Sequence, residues 1–223
     1  MANQLDLQEQ EQLDELKAFW KQYGNAITWV LTVCLLAFAG WNGWNWWQRD
    51  QAAKASGLFE ALDRAVQAGD APKTAQAFDD LKDRYPRTTF AGQGGLLAAK
   101  VLFDKGQVDK ARADLNWVAD NASDDEYRTM ARLRLSALMF EAKQYDDALK
   151  QLDAAKSPSF AALVADRRGD VLLAQGKRDD AKAAYEAAYK AMDERTNYRQ
   201  LISAKLTALG APPPAPKSVE GVQ

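Results

Sequence analysis

Val164 to Tyr189 reads VADRRGDVLLAQGKRDDAKAAYEAAY, and its apolar residues recur at intervals of three and four on both sides of a break at Gly176. That period belongs to an amphipathic helix, so the stretch predicts two helices joined by a short turn. Small residues at Gly169, Ala181 and Ala188 let the two helices approach closely, while Leu172 and Tyr185 are large enough to fill the space toward a neighbouring pair. The spacing repeats upstream. Ala181 with Tyr185 is matched by Ala148 with Leu152 and by Ala111 with Leu115, at offsets of 33 and 37 residues. Five residues before each alanine stands a turn position (Gly176, Lys143, Gly106), and three residues beyond that an acid (Asp179, Asp146, Asp109). Nine before the alanine is a large apolar residue (Leu172, Met139, Leu102), twelve before it a small one (Gly169, Ser136, Ala99), and seven after it Ala188, Ala155 or Val118.

Small residues at the close approach of two antiparallel helices, with large ones between successive pairs, follow the packing logic of the tetratricopeptide repeat. A degenerate first unit fits Thr74, Phe78, Leu81 and Pro86, again 37 residues upstream of Ala111. The expected fold is all-α: a tetratricopeptide-like α-solenoid over residues 50–210, with helix pairs near 55–87, 92–124, 129–161 and 162–194. Residues Arg195 to Leu209 are expected to form a capping helix, because a terminal repeat leaves an apolar face uncovered. The long offsets predict longer turns near Thr88–Gln93 and Ala122–Glu126. Residues 211–223 are Pro-rich with little to bury, which predicts a disordered tail.

Upstream of the repeats, Gln22 to Gln48 is 27 residues without a charge, and its centre, ITWVLTVCLLAFAGW from Ile27 to Trp41, is almost wholly apolar. Roughly 20 helical residues cross a hydrocarbon core of about 30 Å, so residues 26–47 predict one transmembrane helix. Trp20 and Tyr23 at one end, and Trp41, Trp44, Trp46 and Trp47 at the other, suit the two headgroup levels. Asn42, Asn45 and Gln48 recur every third residue and place three amides along one side, where a membrane partner can meet them. The leader, residues 1–25, is acidic and amphipathic, with Leu5, Leu13, Leu16, Phe19 and Trp20 on its apolar positions. Ala37-Phe38-Ala39 before Gly40 has the small-x-small form of a cleavage site, but the acidic flank is unlike a secretory leader, and a retained anchor is the preferred reading. Lysine and arginine are balanced across the span, so charge alone does not orient it.

Composition narrows the chemistry. The chain has 47% apolar and 27% charged residues with a net charge of −2, which does not favour a nucleic-acid surface. Histidine is absent, which removes every His-based acid, base or metal ligand, and the lone Cys34 can make neither an internal disulfide nor a thiolate cage. No enzyme, no cofactor and no small-molecule substrate is therefore expected. Gly92, Gly94 and Gly95 read as a flexible turn between repeats, and the acid pairs Asp146/Asp147 and Asp179/Asp180 as helix starts aligned with the macrodipole. Arg128, Arg132 and Arg134 read as a solvated, ion-paired face beside Asp124, Asp125 and Glu126. Such an array binds through its concave face, formed by the first helix of each pair. The alignment there predicts exposure of Leu96, Lys100, Phe103, Met130, Leu133, Phe140, Asp166 and Asp170, a groove suited to an extended peptide or a partner's helix.

Taken together, EQLDELKAFWKQYGN leading into the anchor, GWNGWNWW at its exit, the Val164 to Tyr189 stretch and YRQLISAKLTALG near the end resemble the YfgM family, ancillary subunits of the bacterial SecYEG translocon. The likeness covers roughly residues 5–210. It implies a single-pass protein of the bacterial inner membrane, with the leader in the cytoplasm and the repeats in the periplasm. It further implies association with SecYEG and with a PpiD-like membrane-anchored chaperone, and a part in passing exported, unfolded chains to chaperones. No residue-level binding site comes with the resemblance. Two other readings stay open from the residues: a secreted or tethered repeat scaffold for envelope assembly, and a regulatory adaptor facing the cytoplasm.

Overall fold

The computed structural model describes residues 7–213, and every regular element in that range is helical. In chain order these are α1 (Leu7–Gln67), α2 (Ala71–Arg84), α3 (Thr89–Asp104), α4 (Val108–Asn121), α5 (Asp125–Glu141), α6 (Tyr145–Ala154), a short 3-10 turn (Pro158–Phe160), α7 (Ala161–Ala174), α8 (Arg178–Ala191) and α9 (Tyr198–Ala208). Residues 1–6 of the expected leader and 214–223 of the expected tail lie outside the described range. Two compact units divide the chain at Asp50.

In the first unit α1 runs without a break through the leader and the apolar stretch, and it is long and apolar enough to cross a membrane. Most of its large apolar side chains from Leu16 to Trp46 are exposed, Ile27 being half-buried, as on a surface meant for lipid. Thr28 and Thr32 donate their hydroxyls to the carbonyls of Gly24 and Thr28, both at 2.8 Å, so neither polar group needs a partner outside the helix. Aromatic pairs lie at both ends, Phe19 with Tyr23 at 5.1 Å and Trp44 with Trp47 at 5.2 Å.

The second unit is the helix-pair array. From Gln51 onward α1 serves as the opening helix, and Ala55, Leu62 and Ala65 are buried there. The pairs α3/α4, α5/α6 and α7/α8 follow, and α9 comes last. All four expected small-then-large positions are in the core: Thr74 and Phe78, Ala111 and Leu115, Ala148 and Leu152, Ala181 and Tyr185. The turns repeat as closely. Gly69, Gly106, Lys143 and Gly176 adopt φ of +63°, +75°, +60° and +79°, and in each case the next residue's N–H returns to a carbonyl five residues earlier. These are Schellman closures, which satisfy the orphan carbonyls at a helix end and favour glycine. The acids Asp109, Asp146/Asp147 and Asp179/Asp180 do stand in first turns, where the helix dipole stabilises negative charge.

Two expectations are corrected here. Gly92, Gly94 and Gly95 are not a turn: α3 begins at Thr89, capped by the Thr88 hydroxyl, and the three glycines are buried inside it. The reason is space. A Cβ on Gly95 would run into Val118 and would stand 2.7 Å from the Phe78 ring, while one on Gly94 would stand 2.9 Å from Leu81. The longer turn expected near Thr88–Gln93 is thus helix, whereas residues 122–124 do form the turn between α4 and α5. The second correction is Arg134, which is half-buried and gives its guanidinium to the Leu96 carbonyl at 2.7 Å rather than joining an ion-paired surface. Arg128 and Arg132 do pair, with Asp125 and Asp120.

The glycines make a contrast that can be measured. Gly57 has nothing within 4 Å of an added Cβ, so Gly57→Ala gains only helix propensity and should stabilise by about 0.5–1 kcal/mol. Gly95→Ala forces Val118 and Phe78 apart and should cost a net ~1–3 kcal/mol despite the same gain. Chemical denaturation of the two variants checks the opposite signs.

Asp114 on α4 is a polar misfit. Its Oδ2 is buried without a partner, and burial pushes the carboxyl up from 3.8 to about 6, Lys82 and Lys110 opposing the shift and Asp79 adding to it. The folded state therefore holds the proton more tightly than the unfolded chain, so stability falls as pH rises from about 4 to about 6 and is level above. Asp114→Asn should flatten that slope and, because the group is partly screened by solvent, stabilise by only about 1 kcal/mol at neutral pH. Urea midpoints across the window read the effect.

Candidate interaction groove

The residues expected on the concave face divide into three groups. Lys100 and Phe103 are exposed on α3, with Phe103 at 42%. Met130, Leu133 and Phe140 on α5 and Asp170 on α7 are half-buried, the three on α5 packed in part against the core, and the Phe140 ring lies 5.8 Å from Tyr145. Leu96 and Asp166 are not exposed at all, at 4% and 1%. For Leu96 the cause is α5, whose Met130 and Leu138 join the same core and whose Arg134 reaches over to the Leu96 carbonyl.

For Asp166 the cause is α9. Ile202 and Leu206 insert beside Ala181, Tyr185 and Ala188, which brings Lys205 over the acidic residues of α7. Lys205 Nζ donates to Asp166 Oδ1 at 2.8 Å and Oδ2 at 2.9 Å, and to Asp170 Oδ1 at 2.7 Å. The Tyr198 hydroxyl donates to Asp166 Oδ2 at 2.7 Å, and the Tyr185 hydroxyl to Asp170 Oδ1 at 2.8 Å. Burial, then the bond to Asp166, pushes the Tyr198 phenol up to about 12; burial and Asp170 push Tyr185 up as well, so both remain donors. Asp166 and Asp170 thus hold the cap in place, and the buried Asp166 is closed to an outside ligand in this state. Lys205, Tyr185 and Tyr198 were not expected in this role. Lys205 stands 39 residues from Asp166, and helical periodicity carries no signal at that range.

What stays open is a cleft of ≈ 330 Å³ between α3, α4 and α5. Phe103, Leu115 and Leu138 supply its apolar walls, and Lys100, Arg134 and Glu141 its charge. In the first unit, Asn42 gives its amide nitrogen to the Phe38 carbonyl at 2.9 Å, so its Nδ2 is already engaged, while Gln48 is exposed and Asn45 half-buried.

Helix pairs closed by repeating turns, with an open cleft between neighbouring pairs and a last helix as cap, define a tetratricopeptide-like protein. The family described as "Tetratricopeptide repeat-like domain" matches residues 17–211. Three curated proteins, each named "Ancillary SecYEG translocon subunit", are similar over most of their length. The one from Neisseria gonorrhoeae is 31% identical over 91% of this chain and 98% of its own, and that from Escherichia coli 32% over 82% and 87%. The one from Haemophilus influenzae is 31% identical over 82% and 89%. The chain belongs to the family of these ancillary translocon subunits, within the tetratricopeptide repeat-like class.

Proposed function

We propose that this protein is a non-enzymatic accessory of the SecYEG translocon, held in the inner membrane by the apolar part of α1, residues 26–47. Its repeats, on the periplasmic side with the leader in the cytoplasm, bind a PpiD-like chaperone or newly exported chains. The observation that carries the reading is the kinship with named translocon subunits over nine-tenths of the chain, in a protein that joins one exposed apolar helix to a repeat array with an open cleft. No chemical step is needed. Tethering the repeats beside the translocon exit raises the effective concentration of a weakly binding surface, so modest affinity is sufficient. Trp41, Trp44, Trp46 and Trp47 fix the depth of the helix at one headgroup level, and Trp20 and Tyr23 at the other. Asn45, Gln48 and the side-chain oxygen of Asn42 offer amide groups to a neighbouring membrane protein.

The test is removal of residues 1–48. The fragment should be soluble, fully helical by circular dichroism, and absent from translocon complexes that the full chain enters. Photocrosslinkers at Asn45 and Gln48 of the full chain should reach translocon subunits, and one at Phe103 a periplasmic chaperone or an exported chain. Entry of the fragment into the complex, or cytoplasmic partners at Phe103, would refute the proposal.

A further inference from the structure

Arg134 is a half-buried cation without a counter-ion. Its Nη1 donates to the Leu96 carbonyl, burial lowers its pKa, and among the described residues it makes no ion pair. None of its other N–H donors is both buried and unpartnered, and Arg134 lines the wall of the cleft. The neighbouring charge is accounted for: Lys100 is bound to Asp104 at 2.6 Å. Glu141, also on the wall, is seven residues further along α5, and among the described residues no ion pair joins it to Arg134. Beside this single free positive charge stand Phe103, 42% exposed, and the half-buried Leu138. At ≈ 330 Å³ the space is at the small end of ligand pockets, enough for a few side chains of a passing chain.

We propose that this cleft binds an extended peptide segment in which an aliphatic side chain stands next to a Glu or Asp. The aliphatic group covers Phe103 and Leu138, and the side-chain carboxylate forms a forked pair with Arg134. A planar guanidinium held on one side by a backbone carbonyl is oriented in advance for such a pair, so little side-chain freedom is lost on binding. The inference deepens the proposed function and rests on it for the source of the segment, a chaperone or an exported chain, but not for the chemistry recognised.

The experiment uses the full chain in lipid nanodiscs and fluorescent, C-terminally amidated peptides with Leu-Glu-Leu, Leu-Gln-Leu or Ala-Glu-Ala at their centre, read by anisotropy. Leu-Glu-Leu should bind saturably, and the other two at least about tenfold more weakly, the size expected for losing a charged hydrogen bond or two aliphatic contacts. Arg134→Gln should abolish the preference for Glu over Gln, and Phe103→Ala the preference for Leu over Ala. Arg134→Glu should invert charge selection toward a Leu-Lys-Leu peptide, an outcome that an unfolded variant cannot give. Equal affinity for the Glu and Gln peptides, no saturable binding, or unchanged selectivity in Arg134→Gln overturns the inference. A Leu-Gln-Leu peptide with a free C-terminus binding as tightly as amidated Leu-Glu-Leu also overturns it, by assigning the cation to chain ends. Co-purification with the translocon is read on the same variants. Its retention while peptide selection fails counts against the cleft alone, and its loss in the wild-type chain counts against the proposed function alone.

Discussion

Replacing Lys205 with Met is expected to destabilise the C-terminal end of the array by about 3–5 kcal/mol, the cost of leaving a buried carboxylate without its cation. Asp166 is 1% exposed and loses two of its three contacts, keeping only the Tyr198 hydroxyl. Asp170 loses one as well. Methionine fills the aliphatic part of the space, so the change isolates charge from volume. Asp166→Asn in the same chain removes the uncompensated charge and should restore most of the stability. Hydrogen exchange makes the check local: amides of α7, α8 and α9 should lose protection while those of α2 to α4 keep it. A uniform loss across the array, or a double variant no better than the single one, would show that the cluster does not hold the cap.

Phe78→Ala should have a comparable effect at the other end, about 3–5 kcal/mol, through a cavity rather than a charge. Phe78 is fully buried, meets Trp117 edge-on at 5.5 Å, and fills the space that the missing side chain of Gly95 leaves open. In a fragment starting at Gln51, Trp117 is the only tryptophan, so its fluorescence reports the site directly. The same geometry predicts coupling. Gly95→Ala should cost less in the Phe78→Ala background than alone, because one of the two groups that obstruct the new methyl is gone, although Val118 still resists it. Simple additivity in urea unfolding would contradict the packing described.

These two sites also mark what was legible in the sequence and what was not. The phase of every helix pair followed from small and large residues at fixed offsets, and the turns from one position, even where Lys143 stands in place of glycine at φ +60°. That information is local, since a helix and its partner are neighbours in the chain. The glycines of α3 were misread because their composition is that of a turn. Only the bulk of Phe78 and Val118, which arrive from the elements on either side, shows that they thin a helix. The groove was half legible for a related reason. Phe103 and Lys100 follow from the face of α3 alone, whereas the burial of Leu96 depends on α5 and that of Asp166 on α9. The free charge of Arg134 was hidden in a cluster of acids and bases that look paired in one dimension.

The apolar interior is divided among three neighbouring cores, one spanning α1 to α5, a second α5 to α7, and a third joining α7, α8 and α9. Each is assembled from segments that follow one another along the chain, so few long loops must close before burial begins, a topology that favours rapid folding. The chain can therefore acquire its structure in the order in which it is synthesised. The first core contains no residue of the last helix, whose Lys205 bonds Asp166 at the opposite end of the array.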